Sequence, residues 1–156
     1  MTNQGRLARA CRLVVKVELF DRVKGRFSQE AILDTGAPFS VFPYTVWNIN
    51  NLSWTPLGSQ LLTPQGQVDP EATKWLGVSC ELGVIQIALL DETLQRTRSL
   101  RAIAKFPLSA PPGRFKQDII LGYHFLMDNT ITLTVNPASR ATAGNLANVV
   151  GFLTIR

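Results

Sequence analysis

The chain has 156 residues, of which 46% are hydrophobic and 17% are charged, and its net charge is +5. This composition is typical of a globular domain and excludes an intrinsically disordered chain. Two cysteines and one histidine are too few for a disulfide framework, a zinc site or a nucleophile paired with histidine, so we expect neither a metal nor a cofactor.

No apolar run is long enough to span a bilayer, and the first residues lack the apolar core of a signal peptide. We therefore expect one domain over residues 1–156, located in the cytoplasm and without a membrane partner, or a domain cut from a longer chain. The basic residues are scattered along strands and turns, as with Arg22, Lys24 and Arg26. Such spacing is typical of a solvated surface and argues against nucleic acid as a partner.

The first predicted elements form a hairpin. Residues 13–20 alternate between apolar and polar side chains, which is the period of a half-buried strand. Residues 21–26 form a polar turn that contains a glycine, so a second strand is expected to run back and end at Asp34. The sheet would thus hold this acid in place, as a precise site requires.

The segment 31–43 places a carboxylate, a hydroxyl and a glycine in a tight turn between two apolar stretches. Burying an ionised carboxylate is costly unless it is paired, hydrogen-bonded or protonated, so an acid here indicates a chemical role for Asp34. Gly36 allows a close approach of the backbone. The simpler alternative is an ordinary β-turn in which Asp34 acts only as a local capping group.

The rest of the chain predicts further strands and little helix. Proline at position 43 suits the start of a helical turn over 43–47. A polar, proline-rich stretch follows over 48–67, within which 61–68 has the pattern of a hairpin with a glycine turn. Alternating or apolar runs then predict strands over 75–82, 84–90, 100–106, 131–135 and 149–156. No helix is long enough for a βαβ order, so a predominantly β domain is expected.

Two segments resemble one known family. Asp34-Thr35-Gly36-Ala37 is similar to the active-site loop of the aspartic proteases, and Ala37 is typical of their retroviral, or retropepsin, branch. Residues 118–126 resemble the apolar-apolar-glycine segment that follows the flap in retropepsins, where a strand passes behind the catalytic loop and turns into a short helix. The resemblance implies an all-β fold, a retropepsin-like closed β-barrel half with one short C-terminal helix. It also implies that Thr35 and Gly36 brace the active-site loop.

The resemblance implies an aspartic endopeptidase, a hydrolase that cleaves extended polypeptides. Its chemistry needs two carboxylates that share one proton and activate a water. No aspartate other than Asp34 is followed by Thr-Gly or Ser-Gly, so a homodimer is expected to pair two copies of Asp34 on a two-fold axis. Ala37 and Phe39 would border the polypeptide substrate, and the flap would come from residues 55–80. The terminal strand, 149–156, is either a dimer element or an ordinary strand that closes its own sheet.

The sequence departs from the family pattern at Pro38 and Tyr123, where many retropepsins carry an acid and an arginine that form an ion pair. Loss of both partners together leaves no unpaired charge, but it leaves the strength of the dimer open. The alternative function is a catalytically silent domain of the same fold that dimerises or binds peptides. Phe39 has core packing as its alternative role, and His124 is expected to be a partly buried helix residue.

Overall fold

The computed structural model describes residues 13–58, 73–113, 117–135 and 151–155. Within these residues the chain forms ten strands and two short helices. In chain order they are β1 (Leu13–Asp21), β2 (Gly25–Leu33), β3 (Ser40–Val41), α1 (Tyr44–Trp47), β4 (Trp54–Pro56), β5 (Lys74–Trp75), β6 (Val78–Leu90), β7 (Leu100–Pro107), β8 (Ile119–Leu121), α2 (Tyr123–Asp128), β9 (Ile131–Val135) and β10 (Gly151–Ile155).

Six of the strands close into a barrel. They follow the order β1-β2-β8-β3-β7-β6, and β6 pairs again with β1 to complete the ring. Strands β4 and β5 pair with β6 outside the ring. The predicted all-β class, the closed barrel and the short C-terminal helix are confirmed. The helical turn predicted near Pro43 is also present, as α1.

The alternation of side chains along the strands fills the barrel. In β1, Val17 and Leu19 are buried while Phe20 points outward and is exposed. The largest fully buried side chains include Phe106 and Phe125, which join the apolar residues of the other strands in one core. Burial of these apolar surfaces is the main stabilising contribution to such a fold.

Strand β6 is longer than the sequence indicated. Most of the two strands predicted over 75–82 and 84–90 forms one continuous strand, which begins at Val78 and runs through Gly83, while Trp75 belongs to β5. Gly83 has no side chain and interrupts the apolar run of the sequence, but its backbone still pairs with Ala104 of β7. The ring of Trp54 occupies the space beside it, since a Cβ on Gly83 would lie 2.4 Å from Cε3 of Trp54.

A tight hairpin joins β5 to β6. Trp75 pairs with Val78, and the two residues between them, Leu76 and Gly77, have φ values of 48° and 80°. Positive φ at both central positions is typical of the turn that suits a two-residue hairpin loop. The hairpin predicted over 61–68 lies outside the described residues.

Strands β9 and β10 form a separate two-stranded antiparallel sheet, in which Ile131 lies opposite Ile155. Both strands were predicted, and their pairing within one chain agrees with the alternative that the terminal strand closes its own sheet, although β9 was not named as its partner. Among the described residues, β10 pairs with β9 alone and not with the barrel. In the part of the chain that the structure describes, no helix is long and apolar enough to cross a membrane.

Candidate active site

Asp34 follows directly on the last residue of β2, at the beginning of a tight loop. Its backbone N–H donates to the carbonyl of Leu121 in β8 at 3.0 Å, which continues the parallel pairing of β2 with β8. Its Oδ1 atom accepts a hydrogen bond from the N–H of Gly36 at 2.9 Å, and its carbonyl accepts one from Ala37 at 3.2 Å. The loop thereby fixes the direction of the carboxylate.

The side chain of Asp34 is exposed in the single chain, together with Thr35 and Gly36. The burial cost that suggested a chemical role for this acid therefore does not arise within one chain. An exposed, oriented carboxylate is accessible to water, to substrate or to a second chain.

The beginning of α2 clamps the loop through backbone hydrogen bonds. The N–H of Tyr123 donates to the carbonyl of Ala37 at 2.7 Å, and the N–H of His124 donates to the carbonyl of Pro38 at 3.1 Å. These are among the donors at a helix N-terminus that have no partner within the helix. The loop satisfies them, so α2 and the loop hold each other in place.

The clamp explains why the loop keeps its position without an ion pair at Pro38 and Tyr123. Both residues contribute backbone atoms to the contacts, and both side chains are exposed. The departure from the family pattern at these two positions therefore leaves the contact between loop and helix intact.

Gly122 allows this close contact. A Cβ at this position would lie 2.6 Å from the carbonyl oxygens of Ala37 and Phe39, and real Cβ atoms do not approach backbone oxygens so closely. The N–H of Gly122 also donates to Oγ of the buried Ser40 at 3.1 Å. The apolar-apolar-glycine segment is thus packed directly behind the loop, as the sequence predicted.

The ring of Phe39 lies close to residues of α2 and β7. This half-buried ring stacks on the imidazole of His124, with 5.3 Å between the ring centroids. The Nζ atom of Lys105 lies 6.0 Å from the centroid of the same ring. His124 is exposed, so the prediction of a partly buried helix residue was wrong.

Lys105 also connects the loop region with the β5–β6 hairpin. Its Nζ atom donates to the carbonyl of Lys74 at the base of the hairpin, at 3.0 Å. Leu76, at the tip, is exposed. This hairpin falls within the range 55–80 in which the flap was expected.

Sequence reasoning missed Ser40, Lys105 and Asn129. Asn129 is buried at the end of α2, where its side chain bonds to both the N–H and the carbonyl of Arg101 in β7 and to the carbonyl of Phe125. An asparagine after a predicted helix is the one signal that pointed to it, because asparagine is favoured where a helix ends. Across the described residues, no three His, Cys, Asp or Glu side chains are grouped so that they would hold a metal ion.

Comparisons with known proteins give a likeness in structure and none in sequence. No protein-family model matches the chain, and no curated protein matches it. Among solved structures, the chain is similar to the EIAV protease in complex with the inhibitor HBY-793. That match has a TM-score of 0.37 and 16% sequence identity, and it covers 82% of this chain and 92% of the viral protease chain.

Proposed function

We propose that the chain is a retropepsin-like aspartic endopeptidase that works as a homodimer and hydrolyses extended polypeptides. The observation that carries the proposal is the geometry of Asp34, an exposed carboxylate at a strand end whose Oδ1 atom is held by the N–H of Gly36 at 2.9 Å. A loop built in this way presents its acid on the surface of the chain. A second copy related by a two-fold axis would bring an identical acid beside it.

Two such carboxylates sharing one proton supply both roles that peptide hydrolysis needs. The ionised carboxylate takes a proton from a water molecule as the water oxygen attacks the peptide carbonyl. The protonated carboxyl of the other copy of Asp34 donates to the carbonyl oxygen, which gives a tetrahedral intermediate with two hydroxyl groups. The carboxyl that took up the water proton then donates it to the leaving nitrogen. The peptide C–N bond breaks as one hydroxyl of the intermediate returns its proton to the other carboxylate, so the dyad again holds one shared proton.

The other loop residues would support this reaction. The hydroxyl of Thr35, which is exposed in the single chain, would bond to the partner loop, and Gly36 would hold the carboxylate. Ala37 and Phe39 would border the substrate on either side of Pro38. The β5–β6 hairpin, with the exposed Leu76 at its tip, would act as the flap.

The terminal sheet offers a surface for the second copy. Strand β10 pairs with β9 along one edge, and a strand edge is a template for pairing with another chain. Pairing of two such sheets around the two-fold axis would join the copies. In this dimer, β10 would contact the second copy and would also keep its pairing with β9 of its own chain.

Cleavage of an unfolded protein at mildly acid pH tests the activity. We expect the wild-type chain to cut a reduced, alkylated substrate protein, and Asp34→Asn to abolish cutting while the fold is retained. Asp128→Asn is the matched control, because Asp128 is an exposed acid on α2, and it should cut like the wild type. A wild-type chain that dimerises without cutting would favour the silent, peptide-binding alternative.

Mixing active and inactive chains tests the dimer separately. When a fixed amount of wild type is equilibrated with an equal amount of Asp34→Asn, roughly half of the wild-type chains acquire an inactive partner, so activity should fall to about half. Equal amounts of Asp128→Asn should leave the activity of the wild-type chains unreduced. Unchanged activity after mixing with Asp34→Asn would show that one chain suffices.

A further inference from the structure

A surface groove of about 340 Å³ lies where β1 and β6 separate. The two strands pair as far as Glu18 opposite Ala88, and their pairing does not continue to Phe20 and Gln86. The groove opens between these diverging strand ends. Asp34 is not among the residues that line it, so the groove is separate from the candidate active site.

Three arginines from different parts of the chain line the groove. Arg26 belongs to β2, while Arg96 and Arg98 lie in the segment between β6 and β7. In the sequence they look like scattered basic residues of a solvated surface. Folding brings them to one groove together with Glu18, so the lining carries three positive charges and one negative charge.

Glu18 shows how this cluster holds a carboxylate. Its Oε1 atom lies 3.4 Å from Nη1 of Arg96 and 3.8 Å from Nε of Arg26. The side chain of Glu18 is 20% exposed, whereas those of Arg96 and Arg26 are 48% and 59% exposed. The carboxylate therefore lies deeper than the guanidinium groups. Each guanidinium has five N–H donors, so donors remain for a second acid on the solvent side.

Arg98 is positioned at the same groove by backbone contacts. Its Nη2 atom donates to the carbonyl of Asn129 at 3.2 Å, and its Nη1 atom donates to the carbonyl of Ser99 at 3.5 Å. These bonds hold the guanidinium without neutralising its charge. A cation that hydrogen bonds already hold loses less side-chain entropy when an anion binds.

The groove also has an apolar end. Phe20, which is 55% exposed, lines it and lies opposite Arg26 in the β1–β2 pairing. An aromatic ring beside guanidinium groups suits a segment that carries acidic and apolar side chains. Glu18 offsets one of the three positive charges in the groove lining. The remaining charge matches a short segment with a few carboxylates better than a continuous phosphate backbone, which favours a peptide over a nucleic acid.

We propose that this basic groove binds an acidic segment of a polypeptide, and that substrates of the proposed protease dock there at a distance from the scissile bond. The docking role depends on the proposed function. The binding itself does not, so it is measured with the Asp34→Asn chain, which would leave any bound peptide intact.

Fluorescence anisotropy at low salt tests the binding. The probe is a short fluorescein-labelled peptide rich in glutamate with one leucine, and its control replaces every glutamate by glutamine. We expect the acidic peptide to bind and the glutamine peptide not to bind. Arg96→Gln combined with Arg98→Gln should weaken binding about tenfold, because two ion pairs are lost.

Arg22→Gln combined with Lys24→Gln is the matched control, because it removes two positive charges from residues that do not line the groove. It should change the affinity by less than about twofold. Equal weakening by both variants, or no binding at all, would overturn the proposal. Tighter binding of oligothymidylate through Arg96 and Arg98 would reassign the groove to nucleic acid. If the acidic peptide binds as expected but the wild-type chain cuts nothing, the proposed function fails and the groove assignment stands.

Discussion

The hydroxyl of Ser40 accepts a hydrogen bond from the backbone N–H of Gly122 at 3.1 Å, in the buried space between β3 and the start of α2. The bond joins two segments that lie 82 residues apart in the chain. On one side of it is the loop that carries Asp34, and on the other is the helix that clamps this loop. The direction of the Asp34 carboxylate therefore depends on a contact that involves neither the acid nor its immediate neighbours.

Replacing Ser40 by alanine tests this contact. The N–H of Gly122 would stay buried without an acceptor, which costs about 1–3 kcal/mol. We expect urea denaturation to show a loss of stability in that range. Ser28→Ala, on the exposed face of β2, is the control and should be within about 0.5 kcal/mol of the wild type. Equal stability of the two variants would show that the bond contributes nothing.

Replacing Gly122 by alanine should displace the loop. The new Cβ would lie 2.6 Å from the carbonyl oxygen of Ala37, and backbone cannot give way as a flexible side chain does. Overpacking of this kind costs about 1–3 kcal/mol. If Asp34 is catalytic, its displacement by about 1 Å should lower the cleavage rate about 100-fold. A folded variant with normal activity would contradict the close packing of loop and helix.

Replacing Gly83 by alanine should disturb the pairing of β4 with β6. The added Cβ would lie 2.4 Å and 2.8 Å from ring atoms of Trp54 and 2.9 Å from the carbonyl oxygen of Thr55. We expect a loss of about 1–3 kcal/mol in urea denaturation. Most of that loss should disappear when the substitution is made in a Trp54→Ala background, because the main obstacle is then absent. An unchanged loss in both backgrounds would place the conflict elsewhere.

The local parts of the fold could be predicted from the sequence, because they rest on local patterns. Alternation predicted β1, the proline at position 43 predicted α1, and the Asp-Thr-Gly turn correctly ended β2. The position of β8 behind the loop was implied by the resemblance of two short segments, whereas the close contact of Gly122 with the loop was not predicted. Each of the predicted features has a signal within a few residues of the chain.

Other features depend on contacts between residues that are distant in the chain, and local patterns do not reveal those contacts. Closure of the barrel requires β1 to pair with β6, and nothing in either strand specifies that partner. The buried roles of Ser40 and Asn129 arise from atoms that approach from other elements. The same reason explains why Arg26 and Arg96 looked scattered, since they reach one groove only when β1 pairs with both β2 and β6.

Cys80 should react slowly with alkylating reagents in the folded chain. Burial raises the pKa of its thiol to about 11, although the positive charge of Lys105 acts in the opposite direction. Because the thiolate is the nucleophile, iodoacetamide at neutral pH should label Cys80 only after denaturation. Mass spectrometry of the peptide that contains Cys80, with and without urea, measures this. Rapid labelling of the native chain would show that the thiol is accessible and ionised.

Asp21 should make the stability of the fold depend on acid pH. Its Oδ1 atom accepts hydrogen bonds from the N–H groups of Val23 at 2.7 Å and Lys24 at 3.0 Å, within the turn between β1 and β2. These bonds lower the pKa of Asp21 below its ordinary value of 3.8, and the bond from the N–H of Lys24 has the largest effect. A carboxyl whose pKa is lower in the folded chain than in the unfolded chain stabilises the fold when it is ionised.

The stabilising contribution of Asp21 is therefore complete above the unfolded-state pKa and is lost as the pH falls through the lowered pKa of the folded chain. We expect the melting temperature of Asp21→Asn to be below that of the wild type by a constant amount between about pH 5 and pH 7. The difference should shrink as the pH falls below 3.8. Asp128→Asn is the control for a general loss of negative charge. A difference between wild type and Asp21→Asn that grows on acidification would contradict the role of the ionised carboxylate, because protonation of Asp21 removes the very interaction that the substitution removes.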